Sequence, residues 1–203
     1  MNTLRLPRLL ALGFVLAGAF VAVPGCSSTP DARETVDSMS NFGLEVAKVK
    51  DSIDNSLKAL DTVTRSQPAE INANVGAYTQ TVAALEKQAQ VIKSRADEMK
   101  SMGDEFFKEK ESTANMTPER RAELSASFAR IKADMASAKE AFVPFLASMK
   151  DIDSYLKVDS TTKGISSMGE LAKKAKDHGA HVKSLIDGVL AQTNAVRGML
   201  ATD

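Results

Sequence analysis

The chain of 203 residues has one cysteine, no tryptophan, two tyrosines and two histidines. One thiol cannot close a disulfide within the chain, so the fold must hold by packing. With so few imidazole and thiol ligands, a nitrogen- and sulfur-ligated metal centre has almost nothing to draw on. An excess of either charge is also missing, since 26 basic residues balance 26 acidic ones. A surface of mixed sign gives no electrostatic footprint for nucleic acid. There is no glycine-rich phosphate loop and no glycine-framed serine, which removes the usual signatures of nucleotide binding and serine catalysis. Alanine, methionine, lysine, glutamate and serine are abundant, a composition that favours helix over strand.

The one cysteine is placed tellingly. Arg5 and Arg8 precede an uncharged apolar stretch, Leu9 to Val23, which ends in Val23-Pro24-Gly25-Cys26-Ser27-Ser28. A basic start, a short apolar run and a small residue before the cut are the parts of a secretory signal. The run is too short and too abruptly ended for a comfortable spanning helix. Its end resembles the lipobox of bacterial lipoproteins, in which the cysteine thiol is alkylated with diacylglycerol and the chain is then cut before it. The resemblance implies residues 1–25 as a removed signal, Cys26 as the lipid attachment site (a palmitate-labelled position) and residues 26–35 as a lipidated tether. Ser27, in place of aspartate, resembles the pattern of lipoproteins that proceed to the outer membrane, facing the periplasm. Two or three acyl chains, at ~0.8 kcal/mol per buried methylene, anchor stably where one does not. Without Arg5 and Arg8 the remaining chain carries 24 basic and 26 acidic residues, a net charge of −2.

Beyond the tether the apolar residues recur at alternating gaps of three and four. Met39, Phe42, Val46, Val49, Ile53, Ser56, Leu60 and Val63 form a first run. A second goes from Ile71 through Tyr78, Leu85 and Ile92 to Phe106, and a third from Leu124 through Phe128, Phe142 and Phe145 to Leu156. The fourth is Met168, Leu171, Ala175, His178, Val182, Leu185, Val189, Gln192, Val196 and Met199. A 3.5-residue period held this long predicts helices packed knobs into holes. Apolar flanks such as Leu57, Phe107, Leu146 and Ile186 widen the stripe beyond a two-stranded seam. The expected fold is therefore all-α: an elongated antiparallel four-helix bundle, an intramolecular coiled coil, over residues 36–203.

Breaks fall between the runs. Ser66-Gln67-Pro68 separates the first two, Thr117-Pro118-Glu119 offers a capping hydroxyl before a proline at the first helical position, and Val158 to Lys163 separates the last two. Short connections make consecutive helices antiparallel neighbours, and helices of ~35–42 residues predict a rod ~50–60 Å long. The first helix would start near the membrane, the 111–117 loop and the C-terminus would return to it, and the other two loops would lie at the far tip. Pro144, inside the third run, removes a backbone donor and predicts a kink. Ser56, His178 and Gln192 are the only clearly polar seam residues and are expected to set register and specificity in the core.

Met39-x-x-Phe42-Gly43, the spacing of Pro144 to Asp151, and Tyr155-Leu156-Lys157 followed by Ile165 resemble motifs of an uncharacterised family of Gram-negative envelope proteins, a coiled-coil domain of unknown function. The resemblance spans most of the chain after the tether. It implies a helical fold and an envelope location, and no activity. Two family features differ here: the basic-aspartate-aliphatic stretch is Lys48-Val49-Lys50-Asp51-Ser52-Ile53, and the tryptophan near the end of the second helix is missing from Phe106-Phe107-Lys108-Glu109.

No seam position is Asp or Glu, and Ala175 stands three residues before His178, where a di-metal bundle would need glutamate. The residues therefore predict no enzyme, metal or cofactor. They point to a membrane-anchored periplasmic structural or adaptor lipoprotein that contacts an envelope protein partner. The alternative is a binding module that carries a lipid or other apolar ligand inside an openable bundle, with Gly169, Gly179, Gly188 and Gly198 weakening the fourth helix, each at ~1 kcal/mol relative to alanine.

Overall fold

A computed structural model describes residues 32–108 and 116–201. The expected signal, Cys26 and most of the expected tether lie outside the described residues. The described chain is 92% helix, has no strand and packs five helices together. They are α1 (Ala32–Thr64), α2 (Ile71–Lys108), α3 (Pro118–Val158), α4 (Thr162–Ser167) and α5 (Gly169–Leu200).

The starts and stops follow local chemistry. The Thr117 hydroxyl accepts the Arg120 amide at 3.3 Å with Pro118 in the first turn, which satisfies an otherwise orphaned donor of α3. Thr161 does the same for α4, accepting from the Gly164 amide at 3.1 Å. The four runs predict four helices, and the structure has a fifth. The capped turn at Thr162–Ser167 ends at Met168, whose ψ of 0° interrupts the ladder before α5 begins. Gly164 is required at this corner. A Cβ there would lie 2.5 Å from the Asp159 carbonyl oxygen, closer than any side chain is tolerated.

α1 packs on α2 and α5, and α3 packs on the same two helices. Contacts run in opposite residue order along each pair. Lys50, Asp54 and Asp61 of α1 meet Asp187, Lys183 and Lys176 of α5. On the other side, Tyr78 meets Met149, and Gly103 lies against Phe128. The neighbours are thus antiparallel. The α1–α2 turn and the α3–α4 turn share one end of the molecule, while the starts of α1 and α3 share the other.

All eight expected seam residues of α1 are buried, as are all ten of α3. Along α2, Tyr78, Val82, Leu85, Ile92, Met99 and Phe106 are buried, and Val75, Ala89 and Gly103 are half-buried. The fourth run departs from expectation. Its buried stripe is Met168, Ala172, Ala175, Gly179, Val182, Ile186, Val189, Thr193, Val196 and Leu200. Every second seam position therefore sits one residue later than the sequence spacing suggests. Leu171 is 40% exposed, and His178, Leu185, Gln192 and Met199 are half-buried.

Both phases keep the 3.5-residue period and share Ala175, Val182, Val189 and Val196. Shape decides between them. Phe145 is fully buried, and a Cβ at position 179 would lie 3.0 Å from its ring and 2.9 Å from Leu57. Gly179, with no side chain, makes room for that ring, as close packing of a core demands. A histidine facing the ring at this level would not.

Candidate functional site

Buried polar residues are few in the described core, and Ser56, Ser148, Asp153 and Thr193 among them are hydrogen-bonded. Ser56 has no exposed surface, and its hydroxyl donates to the Ile53 carbonyl at 2.9 Å within α1. It reaches no partner helix by that bond. Gln192 is half-buried on α5, and the buried polar residue beside it is Thr193, whose hydroxyl donates to the Val189 carbonyl at 2.7 Å. His178 and Pro144, singled out for separate reasons, come together. The imidazole Nδ1 lies 3.2 Å from the Pro144 carbonyl oxygen and 3.1 Å from the Ser148 hydroxyl, which itself donates to that carbonyl at 2.9 Å. A carbonyl only accepts, so Nδ1 carries the hydrogen in this arrangement. Serine bonding back to the carbonyl four residues earlier favours a bend, at the turn where proline already removes a donor. α5 thereby clasps α3 beside its proline. Since the Ser148 proton is committed to a carbonyl, this serine and histidine do not form a nucleophile–base pair. His181 is exposed and takes no part.

A second cluster escaped the sequence. Asp153 is buried to 8% exposure on α3, accepts from the Thr79 hydroxyl at 2.5 Å and receives Lys157 at 2.6 Å. Beside it the fully buried Tyr78 donates its hydroxyl to the Met149 carbonyl at 2.8 Å. Burial, and then the Asp153 charge, push the Tyr78 phenol far above its ordinary range. The one sequence signal was Asp153 and Lys157 at i,i+4, which also describes many solvated helix faces.

Two kinds of hollow occur. Between α1, α2, α3 and α5 a narrow hollow of about 10 Å³ is bounded by Val46, Val49, Ile92, Met135, Ala138 and Ile186, with Glu45, Val91 and Arg95 also lining it. It is too small for any organic ligand and at the limit for one water. Outside, a groove follows the α2–α3 junction near the start of α3. Its inner part, of about 160 Å³, is lined by Met99, Gly103, Phe107, Phe128 and Ala129, with Asp104, Ser125 and Lys132 at the rim. The outer part, of about 490 Å³, shares Phe107 and Ser125 and adds Met116, Pro118, Arg121 and Ala122. Phe107 and Phe128 line the groove and pack with the buried Phe106 behind them, ring centroids 5.2–6.0 Å apart. Small residues make the hollow. Gly103 lets the Phe128 ring approach α2, and Ala122, Ser125 and Ala129 leave the α3 rim low.

Among the described residues no group of three or more His, Cys, Asp or Glu is arranged to hold a metal ion. None of the described helices is long and apolar enough to cross a membrane. No protein-family model, characterised protein or solved structure matches this chain.

Proposed function

We propose that this protein is a lipoprotein of the cell envelope, anchored through Cys26 and facing the periplasm. Its helical domain is an elongated four-helix bundle, with α4 as a corner piece, acting as a structural or adaptor element for an envelope protein partner. The observation that carries the choice of scaffold over carrier is the filled interior. The helices share one apolar core, and the hollow between α1, α2, α3 and α5 is only about 10 Å³. A carrier that holds a lipid inside would have to open that core, at ~25 cal/mol per Å² of apolar surface exposed. The faces left outward are charged and cross-linked by ion pairs, and the large exposed apolar side chains, Leu44, Val143, Val158 and Leu171, stand on three different helices or their ends. Such a body suits contacts made by a rigid surface.

The experiment has two arms. Cells fed a clickable palmitate analogue should label the wild-type chain and fail to label Cys26→Ser; equal labelling of both defeats the anchor. A disulfide staple between α1 and α5 should leave partner capture in crosslinked envelopes intact. Loss of function on stapling, with lipid found bound inside the purified protein, supports the carrier instead.

A further inference from the structure

The groove between α2 and α3 lies at the end of the molecule where α1 begins. Val46 and Val49 share a cavity with Val91 and Ile92, so the antiparallel run of α1 and α2 sets Ala32 level with the Phe106–Lys108 turn. Six residue steps separate Cys26 from Ala32, a reach of up to ~21 Å at ~3.5 Å per residue. Neighbouring helix axes stand ~8–10 Å apart, so that reach spans the width of α2 to the groove on its far side. Along α3 the groove extends from Pro118 to Lys132, ~21 Å at ~1.5 Å per residue. One leaflet of a bilayer core is ~15 Å deep, the length an acyl chain fills. The floor is aromatic and thioether, and Lys132 and Arg121 stand at its two ends.

We propose that this groove receives one of the acyl chains carried by Cys26, holding the anchor against its own domain. The proposal rests on the lipoprotein reading above. Phe107, half-buried beside Phe106 and Phe128, supplies a wall that nothing else among the described residues covers fully. An acyl chain laid along it removes that ring and Ala129 from water. A chain tethered close to Ala32 can lie there, and Cys26 is an attachment point within that reach. A chain parked here is withheld from the bilayer, so the groove would compete with the membrane for one of two or three chains and set how closely the rod stands to its anchor.

The test feeds cells a diazirine-bearing palmitate analogue, irradiates isolated membranes and maps the crosslinks on the full chain. The expected result is a peptide containing Cys26 joined to peptides from residues 97–108 or 121–132. Ala129→Trp, which fills the groove from its exposed rim, should reduce that crosslink to background while Cys26 stays labelled and the helical melt is unchanged. Ser125→Leu is the substitute if the tryptophan disturbs the melt. Label at Cys26 with crosslinks spread evenly over the long helices, or insensitive to the groove-filling variant, overturns the groove and leaves the anchor standing. Groove adducts that contain bilayer lipid without the Cys26 peptide overturn it too, because the occupant is then a free lipid. Absence of label at Cys26 overturns the anchor and the groove together.

Discussion

The α1–α5 and α2–α3 junctions bury similar apolar stripes, yet their rims are built differently. Along α1–α5 the rim is a ladder of ion pairs, Lys50–Asp187, Asp54–Lys183 and Asp61–Lys176. A step of four and then seven residues along α1 is matched by the same steps back along α5. Along α2–α3 the rim has the Lys150–Glu86 pair at 2.7 Å, but its main links are buried or half-buried: Tyr78 on the Met149 carbonyl, Thr79 on Asp153, and the three phenylalanines. Exposed pairs are worth ~0–1 kcal/mol and are screened by salt. Buried hydrogen bonds and rings are costly to lose, because a partner remains unsatisfied or a void remains. One junction is therefore held in register by charge at little energetic stake, and the other by groups whose loss the core feels.

The largest expected effect is on the aromatic side. Phe128→Ala should cost ~3–5 kcal/mol in denaturant unfolding, since it empties the ring that Phe106, Phe107 and Gly103 pack against. A loss under 1 kcal/mol would mean that the α2–α3 end repacks freely and that the two junctions do not differ in what they stake on their rims.

Gly179→Val tests the close approach of α5 to Leu57 and Phe145. Overpacking of this kind costs ~1–3 kcal/mol, and the companion Leu57→Ala should recover part of it by vacating the nearer contact. No recovery would place the strain on Phe145.

Tyr78→Phe should cost ~0.5–1.5 kcal/mol at neutral pH through its lost hydrogen bond. Its alkaline behaviour is the sharper test. The folded phenol ionises well above the unfolded value near ~10. Its contribution is thus complete below pH ~10 and is lost as pH rises beyond it, because unfolding then releases a proton. In a Tyr155→Phe background, tyrosinate absorbance should appear only with loss of helical signal. The band rising while the helix stays intact would show Tyr78 open to solvent.

The smallest effect belongs to the ladder. Lys183→Ala should change stability by ~0–1 kcal/mol, with the difference vanishing at high salt. Exchanging Asp54 and Lys183 for one another should restore it. A salt-independent loss would put the pair among the buried contacts and erase the distinction between the junctions. For Lys50 the sign is fixed by its hydrogen bond to Asp187, which holds the ammonium above its ordinary range: that support is full below the ordinary lysine value and fades as pH rises through the raised one.

The helices, their breaks and the Thr117–Pro118 start were legible because caps, proline and hydrophobic period act over a few residues of chain. The eight positions of α1 and ten of α3 were legible for the same reason, each stripe being flanked by polar residues on both sides. The clasp of His178 on Pro144 was legible only as two separate suspicions, since nothing in the chain states that positions 34 residues apart meet. Asp153 and Thr79 gave less warning still. A buried carboxylate and a surface one have the same letter, and only the neighbouring helix makes the difference.

By itself the sequence determined that the described chain would be helical, where α1 would stop, where α2 and α3 would start, and that each long helix would bury a stripe of 3.5-residue period. Those properties are set by hydrogen bonds and side-chain spacing within one helix. The tertiary structure alone decided which of two stripes α5 buries, that Thr162–Ser167 stands apart as α4, and that Tyr78 and Asp153 would join α2 to α3. Periodicity fixes a helix face only to within a residue, and the last residue of that choice is made by the shape of the ring it must fit.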